Sequence, residues 1–285
     1  MTTRPHHTLW SDAVIRLRRN KFAMVGIGFI VFLSLAAIFA PLLTPYSFSE
    51  QHYNEILLSP SWKHPLGTDQ LGRDTFARLL YGARTSLSVG IFTQFIVLCI
   101  GLPVGAIAGY SGGTTDNLIM RFVDVMYAFP DILLIILLRF VLGGSIYMLF
   151  LAIGLVAWVN VARLVRGQIL SLKTRDFVSA SRAMGGMGNY ITWRHLLPNA
   201  LGPIIVMVTF NVPRAIFTEA ALSYIGIGVK PPTPSWGAMI QDGFNLIFSK
   251  PYMLLFPAIG LALLMLAFTF LGDGLRDALD PKQRR

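Results

Sequence analysis

Several residues able to do chemistry stand where chemistry is costly. Asp124 and, just after Pro130, Asp131 lie in one apolar stretch; Asn160 and Arg163 close another; Asn211, Pro213, Arg214 and Glu219 share a third. An ionisable group in hydrocarbon is expensive, so it normally faces a bundle interior or a watery path. Pro130, Pro203 and Pro213 free backbone carbonyls that only protein or water can satisfy. A solute pathway along these stretches would use Asp124, Asp131, Asn160, Asn211, Arg214 and Glu219. Pairing between helices, or snorkelling to an interface, accounts for the same groups, and for Arg163 and Glu219, near the stretch ends, it is the simpler account.

Catalytic arrangements are missing. His6, His7, His52, His64 and His195 are scattered, with no HExxH metal pair and no Gly-x-Ser-x-Gly elbow. No Gly-x-x-x-x-Gly-Lys-[Ser/Thr] loop occurs to cradle a nucleotide. The lone Cys99 excludes an internal disulfide and argues against a Cys-based zinc site. The expectation is a chain that is not an enzyme and holds no cofactor or metal of its own.

Of the 285 residues, 54% are hydrophobic and 13% charged. Soluble domains carry about a quarter charged residues; the remaining surface must face lipid. The net charge of +10 sits in segments between apolar blocks, without a nucleic-acid motif, and suits membrane orientation better than nucleic acid. The pattern predicts an all-α polytopic membrane protein with about six transmembrane helices. It divides into an N-terminal segment (1–21), a first helix (22–44), a polar loop (45–85), a five-helix core (86–272) and a tail (273–285). Within the core the spans fall at 86–110, 118–142, 146–162, 199–222 and 252–271, with a polar loop at 163–198. The first apolar run has no evident cleavage site and is expected to remain in the mature protein.

Counting lysines and arginines by loop, fifteen fall on the side of the termini and six on the other. The basic side is cytoplasmic by the positive-inside rule, which puts both termini there. Arg73, Arg78 and Arg84 run against it. They accompany Phe76, Leu80, Ala83 and Leu87 at helical spacing. Two arrangements fit: an amphipathic helix on the outer interface, within 45–85, or an extension of the second span. In that span Gly101, Gly105 and Gly109 recur every fourth residue, as in a close helix–helix seam.

The polar loop at 163–198 holds a short helix from Arg175 to Gly185. Thr174 or Asp176 can cap its start and Gly185-Gly186 stops it. Phe177, Ala180, Ser181 and Met184 share a face, small in the middle and bulky at the ends, suited to a partner's groove. At about 35 residues the loop is long for a connector.

These residues resemble the type I import permeases of ABC transporters. Their loop pattern is Glu-Ala-Ala, three residues, Gly, nine residues, Ile, one residue, Leu-Pro. It aligns here with Ser179-Ala180-Ser181, Gly185, His195 and Leu197-Pro198; Ser179, Ser181 and His195 replace the family's Glu, Ala and Ile. Four further strings, at 64–74 with Tyr81 to Arg84, 158–168, 219–239 and 271–281, are similar to the C-type subunit of dipeptide/oligopeptide permeases. The resemblance implies the type I permease fold in a bacterial inner membrane and a homologous second permease. It also implies two ATPase subunits, which hold ATP and Mg, and an extracytoplasmic substrate-binding lipoprotein. Phe177, Ser179, Ala180, Ser181, Met184, Gly185, Leu197 and Pro198 would form the ATPase docking surface around a coupling helix. Peptide is the default solute; nickel, glutathione and oligosaccharides belong to the same permease group. An ion-driven secondary transporter would explain the spans and the intramembrane charges but not the small-faced helix.

Overall fold

Backbone N–H and C=O groups facing lipid need partners within their own segment, which favours helices throughout a spanning chain. The computed structural model describes residues 9–280, and these form helices with no strand. Arg4, His6, His7, Lys282, Arg284 and Arg285 lie outside the described residues. In chain order the helices are α1 (Leu9–Arg19), α2 (Lys21–Ile38), α3 (Ala40–Leu43), α4 (Thr75–Ser111), α5 (Gly113–Ala128) and α6 (Asp131–Leu142). There follow α7 (Ile146–Leu172), α8 (Asp176–Ala183), α9 (Gly188–Ile191), α10 (Leu197–Tyr224), α11 (Trp236–Phe244) and α12 (Tyr252–Leu279). A π turn, Thr192–Leu196, joins α9 to α10.

Five stretches among the described residues are long and apolar enough to cross a bilayer: α2, α4, α7, the run Gly188–Tyr224 and α12. The sixth crossing departs from expectation. The span placed at 118–142 is two helices, α5 and α6, bent by 92°. Pro130 is the cause. Its ring disfavours helical geometry in the preceding residue, and Phe129 is extended at φ −80°, ψ 140°.

Of the two arrangements for the end of the polar loop, the extension of the second span is the one found, and the separate amphipathic helix within 45–85 is corrected: 75–85 is the first part of α4. Asp74 caps it, accepting the N–H of Ala77 at 2.7 Å. Leu80, Ala83 and Leu87 are buried against protein rather than lipid. Two of the three arginines that suggested an interface are neutralised instead: Arg73 Nε donates to Asp69 at 2.7 Å, and Arg78 bridges Asp69 and Asp242, while Arg84 stays exposed. Several helices also outrun their sequence-based ends, α7 reaching Leu172 and α12 reaching Leu279. Charged residues at a span end do not stop a helix when partners sit alongside. Arg166 holds Asp116 of α5 through two nitrogens, at 2.5 and 2.6 Å.

The two ends of the bundle differ. At one end α8, α9 and the start of α10 meet the last turn of α7, where Lys173 Nζ donates to the Tyr110 carbonyl at the end of α4. A groove at that end is lined by Trp10 and Arg16 of α1, Arg175, Pro198 and Leu279, so both described termini lie there. At the other end the loop 44–74, the turn after α6 and the 225–235 loop come together. Arg139, 4% exposed, ties two of these: it donates to the carbonyls of Gly143, Gly144 and Ser145 and to those of Ile227 and Gly228. Beneath that cap Trp236, 1% exposed, packs between α4, α10 and α12, its indole N–H donating to the Leu79 carbonyl at 3.0 Å.

Candidate functional site

The helix at the α7–α10 connection forms as expected, with two differences. Its N-cap is Arg175, which offers no side-chain cap bond. Thr174 instead donates its hydroxyl to the Ser171 carbonyl at 3.3 Å, and Asp176 sits inside the first turn. The stop is a paired closure: Gly185 N–H reaches the Arg182 carbonyl at 2.9 Å and Gly186 N–H the Ser181 carbonyl at 2.9 Å. That 5→2, 6→1 pattern needs a left-handed residue after the cap, and Gly185 has φ +84°.

Of the expected docking face, Phe177, Ala180 and Met184 are exposed, as are Ser179 and Gly185. Ser181 is not part of it. With Val178 it turns into the chain's own fold, both nearly fully buried. A helix resting on its own protein must spend one stripe on that contact. Leu197 likewise belongs to the core, packed with Val178, Ile191 and Ala200, while Pro198 stays exposed beside Arg175. Sequence reasoning missed the continuation of this surface. Met187 (80% exposed), Tyr190 and Trp193 present bare apolar side chains beyond α8. The i, i+3 spacing of Tyr190 and Trp193 was the available signal.

Behind this end, α4 and α7 lie in close contact along the glycine stripe. A Cβ on Gly101 would lie 3.0 Å from the Trp158 carbonyl oxygen, on Gly105 2.4 Å from that of Ala162, and on Gly109 2.8 Å from Ile169 Cβ. Gly101, Gly105 and Gly109 therefore set the distance between two spans.

The intramembrane polar residues separate into three groups. Asp131, Asn160, Asn211 and Arg214 converge on one small cavity of ≈ 30 Å³, room for a water or two. Arg214 of α10 donates to Asp131 at the start of α6, just after the break from α5, with both side chains about half exposed. Gln94 of α4 joins them. It is buried, its amide N–H₂ donates to the Asn211 carbonyl at 3.3 Å, and neither its Oε1 nor Asn211 Nδ2 has a partner among the described residues. A lone glutamine in an apolar span was its signal. Asp124 stands apart, paired with Arg163 at 2.5 Å, whose guanidinium also covers the Tyr127 ring at 4.2 Å. Glu219 is fully buried and accepts from Ser223 at 2.6 Å, with Ser235 donating on to Ser223. These last two fit structural pairing rather than a shared site with the other four.

On the opposite end, charge pairs shift their groups as geometry dictates. The hydrogen bond from Lys63 holds the Glu55 carboxyl below its ordinary value of 4.5, opposed by partial burial and assisted by His64. His64 itself is buried between Asp74 (2.8 Å) and Glu55 (3.2 Å).

Residues 101–285 match the family of binding-protein-dependent transport system inner membrane components, and residues 8–60 match the N-terminal transmembrane domain of oligopeptide transport permease C. The chain is 45% identical over 278 residues to the oligopeptide transport system permease protein OppC of Bacillus subtilis, covering 98% of this chain and 91% of that protein. It is 44% identical to the dipeptide transport system permease protein DppC of the same organism, covering 99% and 88%. With the glutathione transport system permease protein GsiD of Escherichia coli it shares 42% identity, covering 98% and 91%. Among solved structures, an inward-facing form of the MetNI methionine ABC transporter superposes with a TM-score of 0.60 at 21% identity, over 72% of this chain and 97% of that one. That likeness is one of fold. Membrane-length apolar helices, an exposed helix between the fourth and fifth crossings, and near-complete similarity to transport permeases give one answer: the chain belongs to the inner membrane components of binding-protein-dependent transport systems, the permease subunits of ABC importers, and carries the N-terminal domain of the oligopeptide permease C type.

Proposed function

We propose that this chain forms half of the translocation pathway of a peptide importer and is driven through the α8 surface by ATPase subunits that hold ATP and Mg²⁺ themselves. The observation that carries the reading is the row of exposed apolar side chains Phe177, Met184, Met187, Tyr190 and Trp193 at one end of the bundle. Outside lipid, a contiguous apolar patch rimmed by polar groups marks a protein contact. The basic residues support the same placement. Arg16, Arg18, Arg19, Lys173, Arg175, Arg182 and Arg194 gather at this end, which is then the cytoplasmic one, with both ends of the described residues. At the other end, Arg73 and Arg78 are already paired with carboxylates and so weigh little against the assignment.

The second permease would cover the face that bears Asp131 and Arg214. A half-exposed ion pair at membrane depth is costly against acyl chains, so a partner or a watery path is the fitting neighbour. The extracytoplasmic lipoprotein would deliver solute to the end capped by the 44–74 loop. Peptide as the solute rests on the relatives' names, OppC and DppC foremost. Uptake by the reconstituted complex tests the coupling assignment. Ala180→Trp is expected to abolish ATP-driven uptake while the subunits still assemble; full uptake with normal assembly would refute it.

A further inference from the structure

A cavity of ≈ 410 Å³ opens at the end of the bundle opposite α8, lined among others by Asp69, Arg73, Arg78, Thr233, Gln241 and Asp242. Its size falls within the range of small-molecule sites. Its charges are unevenly committed. Asp69 is saturated: it accepts the N–H groups of Leu71 (2.8 Å) and Arg73 (2.9 Å), the Nε of Arg73 (2.7 Å), and a nitrogen of Arg78. Arg73, 8% exposed, spends only that Nε, and its two terminal nitrogens bond to none of the described residues. Asp242 is held by one contact, Arg78 Nη2 at 3.2 Å, and its side chain is 43% exposed. Burial at the cavity rim pushes its carboxyl above the ordinary aspartate range, against the pull of the nearby Arg73 charge and with the push of Asp69. The cavity thus offers a guanidinium edge with no hydrogen bond among the described residues and, within its electrostatic reach, a loosely held carboxylate.

A guanidinium edge selects a carboxylate through paired N–H donors, and a carboxylate with spare lone pairs accepts an ammonium. A molecule carrying both is a zwitterion. We propose that this cavity is an entry subsite for short zwitterionic peptides, with the terminal carboxylate on Arg73 and the terminal ammonium on Asp242. The neutral lining from Thr233 and Gln241 would meet main-chain amides rather than particular side chains. This rests on the peptide-importer reading and adds to it a site within the permease itself.

The test is uptake by the assembled transporter, with its delivery protein and ATPases, of trialanine, trialanine amide and N-acetyl-trialanine. Each variant is compared with wild type on the same delivery protein, whose own preferences then cancel in the ratios. Arg73→Gln is expected to cut the preference for trialanine over its amide by about tenfold, the weight of one charge-assisted contact. Asp242→Asn, at a half-exposed side chain, is expected to cut the preference over N-acetyl-trialanine by a similar factor and to leave the amide ratio unchanged. If Arg73→Gln fails to assemble, the Asp242→Asn ratio alone decides. Unchanged ratios would overturn the subsite, as would an equal loss for all three peptides, which would make the cavity a docking or structural feature. Wild-type uptake of none of the three would instead defeat the peptide reading beneath it.

Discussion

At Asp131 and Arg214 a carboxylate at the start of α6 and a guanidinium on α10 meet beside Gln94, Asn160 and Asn211. Their side-chain types made them candidates from sequence. Their grouping did not follow from sequence, because it depends on how four helices, α4, α6, α7 and α10, turn about their axes. Asp124 and Glu219 are of the same types, yet packing gives one an arginine and the other a serine relay. The glycine stripe was more legible, since a missing side chain every fourth residue has few other uses. Gly105→Val is expected to destabilise the purified protein by about 1–3 kcal/mol, the usual cost of overpacking, because the added carbon meets the Ala162 backbone. A thermal melt in detergent checks it against Gly167→Val, where an added Cβ meets nothing within 4 Å. Glu55 gives a pH prediction. Its folded value lies below 4.5, so its contribution is full above that value and is lost as pH falls through the lowered one. The Tm difference between wild type and Glu55→Gln should therefore persist at neutral pH and vanish in stronger acid, and it should be small because the Lys63 partner is exposed.

At the scale of elements, local signals located α8 and misjudged its stripe. Gly185-Gly186 fixed its end through a backbone conformation that side-chain residues adopt at a cost. Which side faces inward was set by Val178, which the spacing argument did not weigh against Phe177. The break at Phe129-Pro130 carried a plain signal in the proline itself. The apolar run on either side overrode it, because hydropathy measures composition and is blind to direction. The early start of α4 was obscured the same way: Arg73 and Arg78 look like surface residues until Asp69 and Asp242 are placed beside them. Trp236 offers a check on that packing. Trp236→Ala is expected to cost about 3–5 kcal/mol, since it empties a site enclosed by α4, α10 and α12 and removes the indole donor to the Leu79 carbonyl. Loss of the protein from membranes, or a markedly lower Tm, would register it.

For the whole molecule, the account requires the α8 end to be cytoplasmic and gripped by a motor, with the charged cavity at the end where solute arrives. Membership of the import-permease family sets aside an ion-driven transporter. It leaves the placement of α8 against its partner to experiment. The most direct measurement places a single cysteine at Met184, 83% exposed, in a chain whose Cys99 is replaced by serine. A short-span crosslinker is then added to membranes containing the whole complex. Crosslinking of residue 184 to an ATPase subunit, together with labelling by an impermeant maleimide in inside-out vesicles and not in intact cells, is the predicted result. Labelling from outside intact cells, with no crosslink to an ATPase, would contradict it.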